Sequence, residues 1–407
     1  MALRRLALLV ALAIGLGAVT GCAVPARGPA VPPADTVRVQ PLGIANARFF
    51  ADDDPAPIVA EVALAIDRER AALSAAGRPT NPLPPASFLA ISGGADNGAF
   101  GAGLINGWTR TGTRPQFQMV TGVSTGALIA PFAFLGPAYD PILRDVYTTM
   151  SPDRVFLRRR LTAALFGEAL ADASPLAETI NRYADQKMLD AIADEYRKGR
   201  LLMIGTTDLD AQRPVIWNMG AIAASGHPQA LDLFRKVLLA SASIPGAFQP
   251  VLLDVEIDGV RFQEMHVDGG AIAQLFLYPG SIDRGLLPAR QNQTAYIIRN
   301  ARLDPEHAEI ERRTLSIAGR AISTMMQASG HNDVVRAYFI TKRDGLDYNL
   351  AYIGTDFRVP RTTPFDQAYM RALFDYGFAQ AVDGNPWHKS PPGLHSTRSN
   401  RQTLLGD

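Results

Sequence analysis

Gly122-Val123-Ser124-Thr125-Gly126 places a serine between two glycines, directly after an apolar run and directly before a helix-like one. A strand that turns sharply into a helix pushes such a serine out at the apex, and the small neighbours let strand and helix pass closely. The chemistry it would do is nucleophilic attack on an acyl carbon, which needs a base and a site for the oxyanion. Read alone, the pentapeptide fits an ordinary glycine-rich turn equally well. A candidate oxyanion site lies upstream in Ser92-Gly93-Gly94-Ala95-Asp96-Asn97-Gly98. Successive backbone N–H groups at a helix start converge there, and the helix dipole favours negative charge. The loop has no lysine and no Gly-Lys-Ser/Thr follows it, which weakens a phosphate-loop reading, and its glycines miss the G-x-G-x-x-G spacing. For the base, only His266 of the six histidines lies beside a strand end with functional-looking neighbours, and Val267-Asp268-Gly269-Gly270 follows it directly. A carboxylate at Asp268 takes the Ser124 proton if the site is dry enough to raise its pKa. An Asx-type turn is the structural alternative. Asp208, after Thr206-Thr207, would serve as the acid of a triad only with a histidine that the sequence does not place.

The elements that must hold these groups alternate from Ser87 onward. Phe88 to Ile91 reads as a short buried strand, followed by the glycine-rich turn and a helix through Trp108. Phe117 to Thr121 is the strand before Ser124. Leu201 to Thr206, Pro214 to Trp217 and Thr294 to Arg299 are further strands, and Asp258-Gly259 joins a hairpin. Strands alternating with helices predict a mainly parallel sheet with helices on both faces. Residues 137 to 200 are a mostly helical insertion. Ala308 to Ala328 reads as a long helix, Tyr348 to Ile353 as a strand and Asp366 to Val382 as a last helix.

Taken in order, these motifs resemble the patatin-like phospholipases, lipid acyl hydrolases that use a Ser–Asp dyad in place of a triad. Ser92 to Gly98 is similar to the family's oxyanion loop, Gly122 to Gly126 to its G-x-S-x-G elbow, and Asp268-Gly269-Gly270 to its D-G-[GA] motif. Ala240-Ser241-Ala242-Ser243-Ile244-Pro245-Gly246 resembles the stretch that often precedes the aspartate. The resemblance covers about Ser87 to Tyr278. It implies a three-layer α/β/α fold with a central, mainly parallel sheet, a nucleophile elbow and helical insertions. It also implies Ser124 and Asp268 as the catalytic pair, with Gly93, Gly94 and Ala95 as oxyanion donors. Asn97, Gly98, Gly122, Gly126, Gly269 and Gly270 would support them, and no cofactor or metal is implied. One departure stands out: the family's loop usually reads Gly-Gly-Gly-x-Arg/Lys-Gly, whereas this chain has Ala95 and Asn97. The Asn97 amide is a candidate substitute donor for the absent cation.

Composition bounds the rest. Lys+Arg number 40 against 39 Asp+Glu, so no field points to nucleic acid. Arg4-Arg5, the apolar Leu6 to Val19 and Val19-Thr20-Gly21-Cys22 resemble the signal peptide and lipobox of a bacterial lipoprotein, over residues 1–21. Cys22 is the single cysteine, so no disulfide forms within the chain, and the resemblance makes it the lipidated N-terminus. The expected organisation continues with a flexible tether over 22–57, a helix and linker over 58–86, the catalytic domain with a C-terminal helical extension over 87–385, and a polar tail over 386–407. The expected protein is a lipid acyl hydrolase anchored in the bacterial envelope, with outer-membrane placement favoured. Its lipid partners are the substrate and the membrane holding Cys22, and the sequence names no protein partner. A lipid- or partner-binding lipoprotein without turnover, and an esterase or thioesterase for short soluble substrates, remain the alternatives.

Overall fold

The computed structural model describes residues 27–158, 169–282, 290 and 292–394. In its first half these form β1 (Arg48–Phe50), α1 (Ala56–Ala75), β2 (Ala86–Ile91), α2 (Gly98–Arg110), β3 (Met119–Val123), α3 (Thr125–Leu135), α4 (Asp140–Thr149), β4 (Leu157–Arg158), β5 (Ala171–Asp172), α5 (Ser174–Tyr183) and α6 (Gln186–Arg197). The second half holds β6 (Leu201–Asp208), β7 (Arg213–Asn218), α7 (Met219–Ala224), α8 (Ala230–Ser241), β8 (Val251–Ile257), β9 (Val260–Asp268), β10 (Gln293–Arg299), α9 (Thr314–Arg343), β11 (Asp347–Tyr352) and α10 (Gln367–Asp383). The main sheet runs β1-β7-β6-β3-β2-β10-β11. From β6 to β11 neighbouring strands are parallel, while β7 and β1 close one side antiparallel. The β8–β9 hairpin turns at Asp258-Gly259 and pairs with the far end of β6. A separate two-stranded sheet, β4 with β5, interrupts the helical insertion.

Both faces of the central strands are buried, which is what makes their sequences near-continuous apolar runs. On β2, Leu89 and Ile91 enter one core with α2, α3, α8 and α10, while Ala90 enters the opposite core. That opposite core is covered beside β10 and β11 by Val334 and Ala337 of α9, and beside β6 and β7 by Ile58 and Ala65 of α1. The expected three-layer α/β/α architecture is therefore the one observed.

Three expectations change. Residues 27–57 do not hang as a tether: β1 pairs with β7, Phe49 is buried, and Arg48 forms an ion pair with buried Glu264. Pairing covers an edge that β7 would otherwise expose. The long helix starts at Thr314, not Ala308, and continues to Arg343, because its second half buries Val334, Ala337 and Ile340 at three-residue intervals. The tail does not begin at 386. Trp387 packs 4.7 Å from Trp108 and 4.9 Å from Tyr296, and His388 exchanges backbone hydrogen bonds with Leu350. The signal peptide, Cys22 and residues 395–407 lie outside the described residues.

Candidate active site

Ser124 sits at φ 56°, ψ −127°, between the last residue of β3 and the first of α3. A non-glycine residue there stores on the order of 1–3 kcal/mol of backbone strain. The turn closes only because two side chains are missing. A Cβ at Gly122 would lie 2.4 Å from the Gly126 carbonyl, and one at Gly126 would lie 2.2 Å from that of Ile91. Ser241, the last residue of α8, fixes the apex: its hydroxyl accepts the Ser124 N–H at 3.0 Å and donates to the Gly205 carbonyl at 2.7 Å.

The register of β6 explains why Asp268 lies beside Ser124. β3 pairs with β6 as far as Val123 opposite Gly205. The next β6 residue, Thr206, pairs with Asp268, the last residue of the antiparallel strand β9. Two strands thus meet end to end along β6, and their chemical residues meet at the junction. Asp268 is fully buried. Its N–H donates to the Ser243 carbonyl at 2.9 Å, and its Oδ1 accepts the Gly270 N–H at 2.7 Å. Burial pushes its pKa up to about 7, with the Ser124 side chain and the Gly270 N–H offsetting part of the rise. Oδ2 is buried and makes no hydrogen bond of good geometry, as is common for a catalytic contact that tightens only on substrate.

His266 does not serve this pair. Its Nδ1 lies 3.1 Å from the Thr206 hydroxyl, its Nε2 lies 3.3 Å from Glu264, and its ring meets Trp217 edge-on. Arg48 binds Glu264 through both guanidinium nitrogens. Burial pushes Glu264 up, but His266 and Arg48 outweigh it and hold the carboxyl at about 2. Among the described residues, Asp208, Glu264 and His266 are the one set close enough to share a metal ion. A cation there would meet the Arg48 guanidinium already neutralising Glu264. Asp208 accepts the N–H groups of Asp210 and Ala211 instead.

The glycine-rich loop differs from expectation in two details. The Gly93 N–H is engaged by the Gln274 carbonyl at 2.9 Å, which removes it from the three expected oxyanion donors. Among the described residues no protein acceptor meets the N–H groups of Gly94 or Ala95, so these two remain. Ala95 is held at φ 51°, the left-handed region where glycine is free of strain. The Asn97 carboxamide oxygen accepts the Tyr369 hydroxyl at 2.7 Å, so this side chain ties the loop to α10.

A small apolar cleft opens beside Ser124, with Ala95, Leu128, Met150, Ile244, Phe248 and Phe365 among its lining residues. Phe365 comes from the segment after β11 and is held by the oxyanion loop itself. Buried Asp96 accepts the Phe365 N–H at 2.9 Å and pairs with Arg361 at 2.9 Å.

Residues 89–278 match the family described as patatin-like phospholipase. The match covers 190 of the 407 residues and spans both the Ser124 elbow and Asp268. No curated protein matches the chain. Among solved structures, VipD from Legionella pneumophila is similar at 11% identity over 74% of this chain and 67% of VipD, with a TM-score of 0.33. Human GIVD cytosolic phospholipase A2 is similar at 9% identity over 79% of this chain and 56% of that one, with a TM-score of 0.31. The type III effector ExoU is similar at 14% identity over 74% of this chain and 53% of that one, with a TM-score of 0.21. This chain therefore spans little more than half the length of the last two.

Several residues that build the candidate site were not singled out in the sequence. Ser241 and Ser243 lay inside a recognised stretch, but their roles depend on Ser124 and Asp268 reaching them through the fold. Asp96 lay inside the glycine-rich loop without a role of its own, and Gln274 and Phe365 carried no local signal. Their partners are 181, 269 and 269 residues away or belong to backbone groups that any sequence has.

Proposed function

We propose that this chain is a serine acyl hydrolase acting on lipid esters through a Ser124–Asp268 dyad. The observation that carries the reading is a strained, nearly buried serine beside a fully buried aspartate whose carboxyl titrates near neutrality. As the Ser124 oxygen attacks the ester carbonyl, its proton passes to Asp268. The N–H groups of Gly94 and Ala95 receive the oxyanion. Collapse of the tetrahedral intermediate breaks the bond to the leaving alcohol, which takes the proton back from Asp268. A water then attacks the acyl-enzyme, gives its proton to Asp268, and releases the fatty acid while Ser124 regains its hydrogen. The apolar cleft supports an acyl chain as the group transferred.

The test is reaction with a fluorophosphonate, mapped by mass spectrometry. Labelling at Ser124 and hydrolysis of p-nitrophenyl acyl esters, both lost in Ser124→Ala and Asp268→Asn, are the expected results. A wild-type protein inert to probe and esters would favour a lipid-binding lipoprotein instead. Preference for short soluble esters over dispersed phospholipid would shift the substrate class.

The chain is further proposed to be anchored by lipid on Cys22 in the bacterial envelope. What supports this is the sequence pattern before Cys22; no helix among the described residues is long and apolar enough to cross a membrane. Wild-type protein in the detergent phase and Cys22→Ala in the aqueous phase is the expected partition, and equal partition would remove the anchor.

A further inference from the structure

The oxyanion loop, Ser92 to Gly98, contains no basic residue, and its one charged residue, Asp96, is negative. A guanidinium nevertheless reaches it from another element. Arg299, the last residue of β10, is only 3% exposed. Its Nη1 donates to the Gly93 carbonyl at 3.2 Å and to the Ser92 hydroxyl oxygen at 3.3 Å. The Ser92 hydroxyl donates to the same Gly93 carbonyl at 2.7 Å, while accepting the Asn300 N–H at 2.8 Å. The Gly93 carbonyl is therefore the end point of two donors, one of them cationic.

That carbonyl and the Gly94 N–H are opposite ends of a single peptide unit. Amide resonance couples them: hydrogen bonds to the oxygen draw electron density from the nitrogen and make its N–H a stronger donor. The Gly94 N–H is one of the two groups left free to meet an oxyanion. We propose that Arg299 is a positioning residue that strengthens the oxyanion site through the Gly93–Gly94 peptide, supplying from β10 the positive charge absent from the loop. It does not touch the reacting atoms. The proposal rests on reading Ser124 as an acyl-transfer nucleophile.

Two features show that space is kept for this guanidinium. A Cβ at Gly330 of α9 would lie 2.3 Å from Arg299 Nη2, so the helix crosses the arginine at its one position without a side chain there. Gln327, one turn earlier, accepts Nη2 at 3.3 Å. Arg299 Nε is buried with no hydrogen-bond partner among the described residues. Burial lowers the guanidinium to about 10, opposed by Asp333, so it is charged at neutral pH.

The experiment uses the full chain with Arg299→Gln, Arg299→Lys, Arg299→Ala and Gly330→Ala. It reads fluorophosphonate labelling rate at Ser124, kcat and KM for p-nitrophenyl butanoate, and Tm. Expected for Arg299→Gln is a loss of about 10- to 100-fold in kcat and in labelling rate, with KM little changed, below or at the cost of deleting an oxyanion donor outright. Lysine should retain part of the rate, and added methylguanidinium should restore part of it to Arg299→Ala. Gly330→Ala, which displaces the guanidinium and keeps its charge, should lower kcat in the same direction. It serves as the decisive variant if the Arg299 changes prevent folding. Labelled wild type together with unchanged kcat in folded Arg299→Gln, or a loss confined to KM and Tm with no rescue, overturns the proposal alone. Wild type that takes no label at Ser124 overturns the acyl-transfer reading and the proposal with it.

Discussion

On the proposed dyad, the ionisation of Asp268 sets the pH at which the site works: a base must be deprotonated, and burial has moved this carboxyl to about 7. The expected kcat/KM profile therefore rises through neutral pH and levels above it, and Asp268→Asn should cost about 10²- to 10⁴-fold. A profile flat from pH 5 to 9 would exclude Asp268 as the base. The same shift has a sign for stability. An unfolded aspartate ionises near 3.8 and the folded one near 7, so between these pH values the folded state holds a proton that the unfolded state has lost. The site's contribution is favourable below that window and falls as pH rises through it. Asp268→Asn should accordingly raise Tm at pH 8, by a free energy on the order of a few kcal/mol, and change it little at pH 4. At Ala95, held at φ 51°, glycine should stabilise by up to about 1 kcal/mol with activity retained, read by denaturant unfolding. The sequence made Ala95 a departure from the resembled motif; only the backbone angle shows that the departure carries strain.

At the scale of elements, the elbow depends on β3 and α3 passing under the end of β2. Gly126→Ala would push a methyl group into the Ile91 carbonyl, so the expected outcome is loss of Ser124 labelling together with a fall in Tm. Labelling at the wild-type rate would show that the turn can open without harm. This part of the site was legible in the sequence, because a tight turn writes its need for small residues into adjacent positions. The end of β10 was not legible. Arg299-Asn300 reads as the polar finish of a strand, yet Asn300 also donates through Nδ2 to the Ser92 carbonyl and accepts the Gly101 N–H. Helix α9 shows the same limit: the sequence pattern ends it at Ala328, and burial of its second half carries it through Gly330, whose missing side chain leaves room for Arg299.

For the molecule as a whole, the N-terminal segment belongs to the domain. Arg48 neutralises buried Glu264 on β9, the strand that ends in Asp268. Arg48→Ala would leave that carboxylate uncompensated, at an expected cost of about 3–5 kcal/mol by urea unfolding. Replacing both partners with apolar residues should recover most of the loss. Deleting residues 23–50 should likewise destabilise the protein, where a true tether would leave Tm unchanged. At the other end, a chain stopped after Asn385 loses the Trp387 contacts with Trp108 and Tyr296 and should unfold at lower temperature than one stopped after Leu394.

What the sequence determined by itself is the set of local requirements: a serine at a crowded turn, an aspartate before paired glycines, and apolar runs that must be buried on both faces. Each constrains residues a few positions apart, so each leaves a readable pattern. What only the tertiary structure decided is which groups are free and which are engaged. The Gly93 N–H is occupied by Gln274, His266 by Thr206 and Glu264, and the Asn97 carboxamide oxygen by Tyr369, while the Gly94 and Ala95 N–H groups stay open. Even the pairing of Ser124 with Asp268 follows from β3 and β9 meeting on β6. Hydrogen-bond partners and burial are fixed by contacts between distant segments, and a polar side chain gives no sign in the sequence of which distant group will satisfy it.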